Sequence, residues 1–273
     1  MQAAPLIIIS IWVASCNNKV KDNGQSGSKN DTVAYSYKSF KQRDTDCGNN
    51  PDSSCTIVKA MCPEFNGLDK LNDSVVCSLV KLFTFYQPGG GNTFEQLAAN
   101  FIGGYHAFKK VQPKSTLYYL IDAKAKVLQQ DSGLLTIKIS GYTYHGGPHG
   151  AEYEGYVNWD AKKDNNIALS DILVQGYQGK LNSIAEQIFR KNEKLSETSS
   201  LNNGRTYFFP NNKFSLPDNY LLTGSGICFL YNVYTIKAYA AGKTKLLVPY
   251  ADIKQLVLPG TSFPVIYINS RLL

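Results

Sequence analysis

Residues 134–144 read LLTIKISGYTY, residues 145–150 read HGGPHG, and residues 152–159 read EYEGYVNW. Both flanks alternate apolar or aromatic with polar residues at a period of two, and they are rich in β-branched and aromatic side chains, the pattern of half-buried strands. Between them Gly146, Gly147 and Pro148 can continue neither a helix nor a central strand, so they mark a turn. The stretch is therefore an antiparallel hairpin. Upstream, residues 117–125 and 126–130 carry the same alternation and Asp131-Ser132-Gly133 supplies another turn, so residues 115–157 read as an antiparallel meander.

Further towards the N-terminus, residues 32–40 and 56–65 predict a second hairpin around a cysteine-bearing loop. Two helices are expected next: residues 68–85, with Val75, Val76, Leu79, Val80 and Phe83 at helical spacing, and residues 93–110, where Thr93 caps and Gln96 holds the matching third position. Gln87-Pro88-Gly89-Gly90-Gly91 divides them. Downstream, a helix over 181–195 precedes strands over 220–223, 226–236 and 245–249. Strands, helices, strands, helix, strands is an α+β order rather than that of a parallel α/β sheet. The expected architecture is two domains, 32–112 and 113–260, each mainly antiparallel sheet packed with helices, with 261–273 as a tail.

The N-terminus points to export. Residues 5–14 (PLIIISIWVA) form an apolar run about half the ~20 residues a membrane-spanning helix needs, which fits the core of a signal peptide. Val13-Ala14-Ser15-Cys16 resembles a bacterial lipobox, so residues 1–15 are expected to be a lipoprotein leader and Cys16 the lipidated residue. Residues 16–31, almost without aliphatic side chains, read as a flexible tether.

A formal net charge of +7 is spread as single lysines, with no basic block and no nucleic-acid-binding motif, so no nucleic-acid partner is expected. Besides Cys16 the chain holds Cys47, Cys55, Cys62, Cys77 and Cys228, an odd set in a compartment where disulfides persist. Cys47 and Cys55 flank a turn-rich segment and make the most natural local bridge; Cys62 with Cys77 is a second pairing, and Cys228, in an apolar run, reads as a buried thiol. No Cys-x-x-Cys pair occurs, and His145 and His149 are separated by Gly-Gly-Pro, so neither a metal nor any other cofactor is expected. Glu152 and Glu154 share one strand face. They read more simply as a solvated sheet surface than as an acid–base pair, because no nucleophile motif accompanies them. Eighteen tyrosines could supply flat faces for sugar rings, although tyrosine is also common in strands.

Two sets of motifs in order carry a resemblance. The first is Tyr144-His145-Gly146-Gly147-Pro148-His149-Gly150, then Asn158-Trp159-Asp160, then Leu169-Ser170-Asp171-Ile172. The second is Asn219-Tyr220-Leu221-Leu222-Thr223, Gly226-Ile227-Cys228-Phe229-Leu230-Tyr231-Asn232, Ala238-Tyr239-Ala240-Ala241-Gly242 and Val248-Pro249-Tyr250-Ala251-Asp252-Ile253. Together they resemble the paired domains of unknown function of the RsiV/PdaC type, found in lysozyme-sensing anti-sigma factors and beside the catalytic domain of peptidoglycan deacetylases; Pro148 stands where that pattern has Ala. The resemblance implies an α+β domain that binds envelope or host molecules while catalysis resides elsewhere. The expected protein is a noncatalytic, lipid-anchored envelope protein, with a mild preference for the outer membrane. It would touch the membrane through its lipid only and bind a wall glycan or a protein such as lysozyme. Its expected binding residues are His145, Gly146, Gly147, His149, Glu152 and Glu154. The alternative is an envelope enzyme acting on peptidoglycan through the 145–149 turn and Glu152.

Overall fold

The computed structural model describes residues 33–83, 91–131 and 133–261, which fall in one compact unit. The expected leader, Cys16, the tether, the break at 87–90, Ser132 and residues 262–273 of the tail lie outside the described residues.

The first hairpin forms as expected from β1 (Tyr35–Arg43) and β2 (Ile57–Phe65), and α1 (Asp69–Lys81) and α2 (Phe94–Val111) follow. The start of α2 is the one its sequence signals: Thr93 Oγ1 accepts the Gln96 N–H at 3.3 Å, while Gln96 Oε1 accepts the Asn92 N–H at 2.8 Å. Then come β3 (Tyr119–Asp131), β4 (Leu134–His145), β5 (Ala151–Asp160) and the short β6 (Asn165–Asn166), completing a six-stranded sheet in the order β1-β2-β3-β4-β5-β6. Every neighbouring pair is antiparallel except β2 and β3. A parallel pair needs a long crossover, and α1 and α2 provide it. The boundary expected at 112/113 lies in that crossover, and β2 and β3, one from each side of it, pair within the same sheet. Residues 119–131 make one strand rather than two, with the register shifting between Val127 and Gln129, where two successive apolar residues interrupt the alternation.

Both helices lie on one face of this sheet. Val58, Ala60, Ile121, Ala123, Ile137, Ile139 and Val157 meet Leu71, Val75, Leu79, Leu97 and Phe101 in a single buried cluster. Gly141 interrupts the apolar side of β4 because the Phe83 ring occupies that space: a Cβ there would stand 2.1 Å from Phe83 Cζ.

The C-terminal half builds α3 (Tyr177–Asn192) against a three-stranded antiparallel sheet of β7 (Tyr220–Leu222), β8 (Gly226–Tyr231) and β9 (Thr244–Pro249), ordered β7-β8-β9. Leu181, Ala185 and Phe189 of α3 join Phe209, Phe229, Leu246 and Val248 in a second core. All of β8 is buried, as befits the central strand, but it stops at Tyr231 instead of running to 236. Asn232 turns the chain there by accepting the Thr235 N–H at 3.2 Å, and Tyr234 takes φ 64°. Three helices and two mainly antiparallel sheets among the described residues give the α+β class expected from the sequence.

Cys47 and Cys55 form a disulfide with their Cα atoms 5.2 Å apart. Cys62 and Cys77 are free thiols, so the second pairing is not made: Cys62 is buried in the first core, whereas Cys77 lies half-buried on α1 with its sulfur 3.6 Å from Asn92 Oδ1. Cys228 is buried in β8, as expected.

Candidate functional site

At the end of β4 the alternation aims Gly141, Thr143 and His145 to the helix side of the sheet, and on β5 it sends Ala151 and Tyr153 to the same side. The turn between the strands is built by glycines with different tasks. Gly146 takes φ +76°, a conformation costly to other residues, and Gly150 packs so tightly that a Cβ would fall 2.2 Å from the Tyr142 ring. These constraints open a pocket of about 460 Å³ lined by Gly104, Tyr119, Thr143, His145, Gly147, His149, Gly150, Ala151, Tyr153 and Tyr234.

Its walls are aromatic. His145 meets the rings of Phe101 and Tyr119 edge-on at 5.1 and 5.2 Å, and desolvation beside them pushes its pKa below the usual histidine value. His149 stacks on Tyr239 at 4.5 Å, and its Nδ1 lies 3.0 Å from the Gly150 carbonyl oxygen. Tyr239 in turn packs against Tyr234 at 5.5 Å. Tyr234 is 48% exposed and is held at positive φ, which costs a bulky L-residue of the order of 1 kcal/mol. The Thr143 side chain is buried, and among the described residues its hydroxyl has no hydrogen-bond partner. A buried orphan hydroxyl carries a desolvation penalty that a ligand can relieve. Among the described residues no carboxylate, lysine or arginine lines the pocket.

The six expected binding residues therefore divide. His145, Gly147 and His149 line the pocket and Gly146 shapes its turn, but Glu152 and Glu154 lie on the opposite face of β5, because strand residues one apart point opposite ways. Glu152 is largely exposed, 3.9 Å from Lys243. Glu154 is buried and bound by Lys138 Nζ at 2.9 Å, Lys243 Nζ at 2.9 Å and the Tyr156 hydroxyl at 3.0 Å. Burial alone would raise its pKa, but the two lysines outweigh burial and hold the carboxyl at about 2. Its backbone is clamped as well: Asn219 and Asn232 donate to its carbonyl at 2.8 and 2.9 Å, and its N–H donates to Asn232 Oδ1 at 2.8 Å. This is a structural joint between the two sheets. The third histidine, His106, is elsewhere, with Nε2 2.7 Å from Asp44 Oδ2. Among the described residues no three His, Cys, Asp or Glu side chains gather as a metal site.

The polar motif residues have structural tasks too. Asn158 donates to the Tyr220 carbonyl at 2.8 Å and accepts the Leu222 N–H at 3.1 Å, tying β5 to β7. Asp160 accepts the N–H groups of Lys162 and Lys163, and Asp171 accepts that of Ala168. The pocket residues that the sequence did not single out are Gly104, Tyr119, Thr143, Ala151, Tyr153 and Tyr234. Only the parity of Thr143, Ala151 and Tyr153 with His145 was visible in the sequence; Tyr119, Gly104 and Tyr234 arrive from distant elements.

The fold and pocket together define a two-sheet α+β protein with an aromatic-lined cavity at a hairpin end. Residues 170–251 match the family model "Protein of unknown function (DUF3298)". Two solved structures share the fold. One is a DUF3298 family protein from Pseudomonas aeruginosa PAO1, with a TM-score of 0.61 and 21% identity over 84% of this chain and 96% of that one. The other is a DUF3298 family member from Bacteroides fragilis NCTC 9343, with a TM-score of 0.61 and 19% identity over 85% of this chain and 96% of that one. No curated protein matches the chain in sequence.

Proposed function

We propose that the protein is a noncatalytic, lipid-anchored binding protein of the bacterial cell envelope, and that the 145–150 pocket receives an uncharged sugar unit of a wall glycan. The carrying observation is the pocket itself, which Tyr119, His145, His149, Tyr153 and Tyr234 line together with Thr143, whose buried hydroxyl finds no partner among the described residues. Flat aromatic faces suit the apolar faces of pyranose rings, and a single buried hydroxyl fixes orientation, the usual division of labour in small-ligand sites. The signal-like residues 1–15, Cys16 in a lipobox-like context and the RsiV/PdaC-type resemblance support the envelope setting, and an outer-membrane location is the preferred one.

A glycan is favoured over lysozyme because a basic protein partner calls for an acidic patch. Glu154 is buried between two lysines, and Glu152 stands beside one of them. Binding is favoured over catalysis because Glu152 and the pocket-lining His145 project from opposite faces of the sheet.

The test is calorimetry of the chain carrying Cys16→Ser with soluble peptidoglycan fragments and, separately, with lysozyme. Saturable glycan binding that Thr143→Val weakens about tenfold, near the worth of one hydrogen bond, and that Tyr234→Ala also weakens is the expected result. Glycan binding indifferent to both substitutions, or heat with lysozyme alone, would overturn the reading.

A further inference from the structure

The face of the six-stranded sheet opposite α1 and α2 is covered unevenly. Over β5 the C-terminal half closes on it through Asn219, Asn232 and Lys243. At one end of β2 and β3 the loop of Cys47 and Cys55 packs on Ile57 and Leu120; beyond that loop, the side chains of β1 to β3 on this face follow from register. Lys41 faces Lys59, Ser39 faces Met61, Lys59 faces Asp122, Met61 faces Lys124 and Lys126 faces Lys138.

Two features set this surface apart from an ordinary solvated sheet. First, like charges stand directly opposite each other at Lys41/Lys59, an arrangement that destabilises a sheet, and Lys126 stands opposite Lys138, whose ammonium is taken by Glu154 at 2.9 Å. Asp52 serves Lys41 and Arg43 at 2.7 and 3.7 Å, and Asp122 serves Lys59 and Lys124 at 3.5 and 3.3 Å, so cations outnumber the carboxylates beside them. Second, two large apolar groups break the surface among the lysines: Tyr37 is 46% and Met61 39% exposed. A soluble polyanion would answer the charge but not the apolar tips. A bilayer with anionic headgroups answers both, because lysines reach lipid phosphates while tyrosine and methionine settle at the boundary with the acyl chains.

We propose that this open sheet face docks on an anionic lipid surface. The inference is independent of the pocket, and it would add a protein contact to whatever an acyl chain on Cys16 contributes.

The experiment is co-sedimentation of the full chain carrying Cys16→Ser, so that no acyl chain takes part, with phosphatidylcholine vesicles and with phosphatidylcholine/phosphatidylglycerol vesicles, at low and high salt. The expected result is partitioning to the anionic vesicles only, released by salt. Lys124→Gln with Lys126→Gln should lower it about 30-fold, from a contribution of roughly fivefold per lysine near such a surface. Lys110→Gln with Lys114→Gln, exposed residues away from this face, should leave it unchanged. Met61→Ser should weaken binding without altering its salt dependence, and circular dichroism confirms that each variant is folded. Absence of binding to anionic vesicles, or an equal loss with both lysine pairs, would overturn the proposal. So would equally tight binding to soluble polyphosphate with the same dependence on Lys124 and Lys126, which would make the face a site for anionic polymers.

Discussion

Glu154 shows how a residue's environment, rather than its type, sets its role. In the sequence it is one of two carboxylates beside a histidine turn; in the structure it is buried, with two lysines and a tyrosine on its carboxylate and two asparagines on its backbone. Its folded pKa of about 2 lies below the ordinary 4.5, so the unfolded chain takes up the proton first as pH falls. The resulting stabilisation, of the order of 3 kcal/mol, is complete above pH 4.5 and is lost between 4.5 and 2. Thermal melts from pH 7 to pH 2 should show a drop in Tm over that window, and Glu154→Gln should lower Tm at pH 7 while flattening the acid limb. An unchanged acid limb in the variant would mean that the coupling lies elsewhere.

At the scale of elements, the first hairpin depends on its loop. The disulfide joins Cys47 to Cys55 across a separation of eight residues, and α2 holds the same loop through Tyr105 on Asp46 at 2.8 Å and His106 on Asp44 at 2.7 Å. Closing so short a loop stabilises by about 2–3 kcal/mol in the chain-entropy account. Cys47→Ser with Cys55→Ser should therefore cost about that much in denaturant unfolding. Hydrogen exchange should quicken first in residues 44–56, while β4 and β5 keep their protection. Uniform loss of protection across the molecule would show that the loop is integral to the global fold rather than a local staple.

For the whole molecule the decisive join is between the sheets. Among the described residues they share no strand pairing; side chains of Asn158, Asn219, Asn232 and Lys243 carry the bonds across. Asn158→Ala would leave the Tyr220 carbonyl and the Leu222 N–H without their partner in a buried setting, at about 1–3 kcal/mol for each. The expected outcome is a loss of roughly 2–6 kcal/mol, with the C-terminal core unfolding ahead of the first when followed separately by hydrogen exchange. A loss confined to a few tenths would mean that the apolar cores hold the halves together without this bridge.

The sequence by itself determined the elements and their class. Period-two alternation marked β4 and β5, helical spacing and the Thr93 cap marked α2, and the spacing of Cys47 and Cys55 marked their bridge, because each rests on interactions among residues close in the chain. It also placed His145, Gly147 and His149 at one turn. What it left open depends on contacts between distant residues. Met61 and Lys124 become neighbours only because α1 and α2 let β2 and β3 pair in parallel, and that pairing assembles the basic face. Tyr119 reaches His145 only through the β3/β4 register, and Tyr234 reaches the pocket only because β8 ends early in a turn. Strand parity was legible, yet which side of the sheet the helices would cover was not. That choice, fixed by burial of the first core, gave Tyr153 to the pocket and Glu154 to the joint between the sheets.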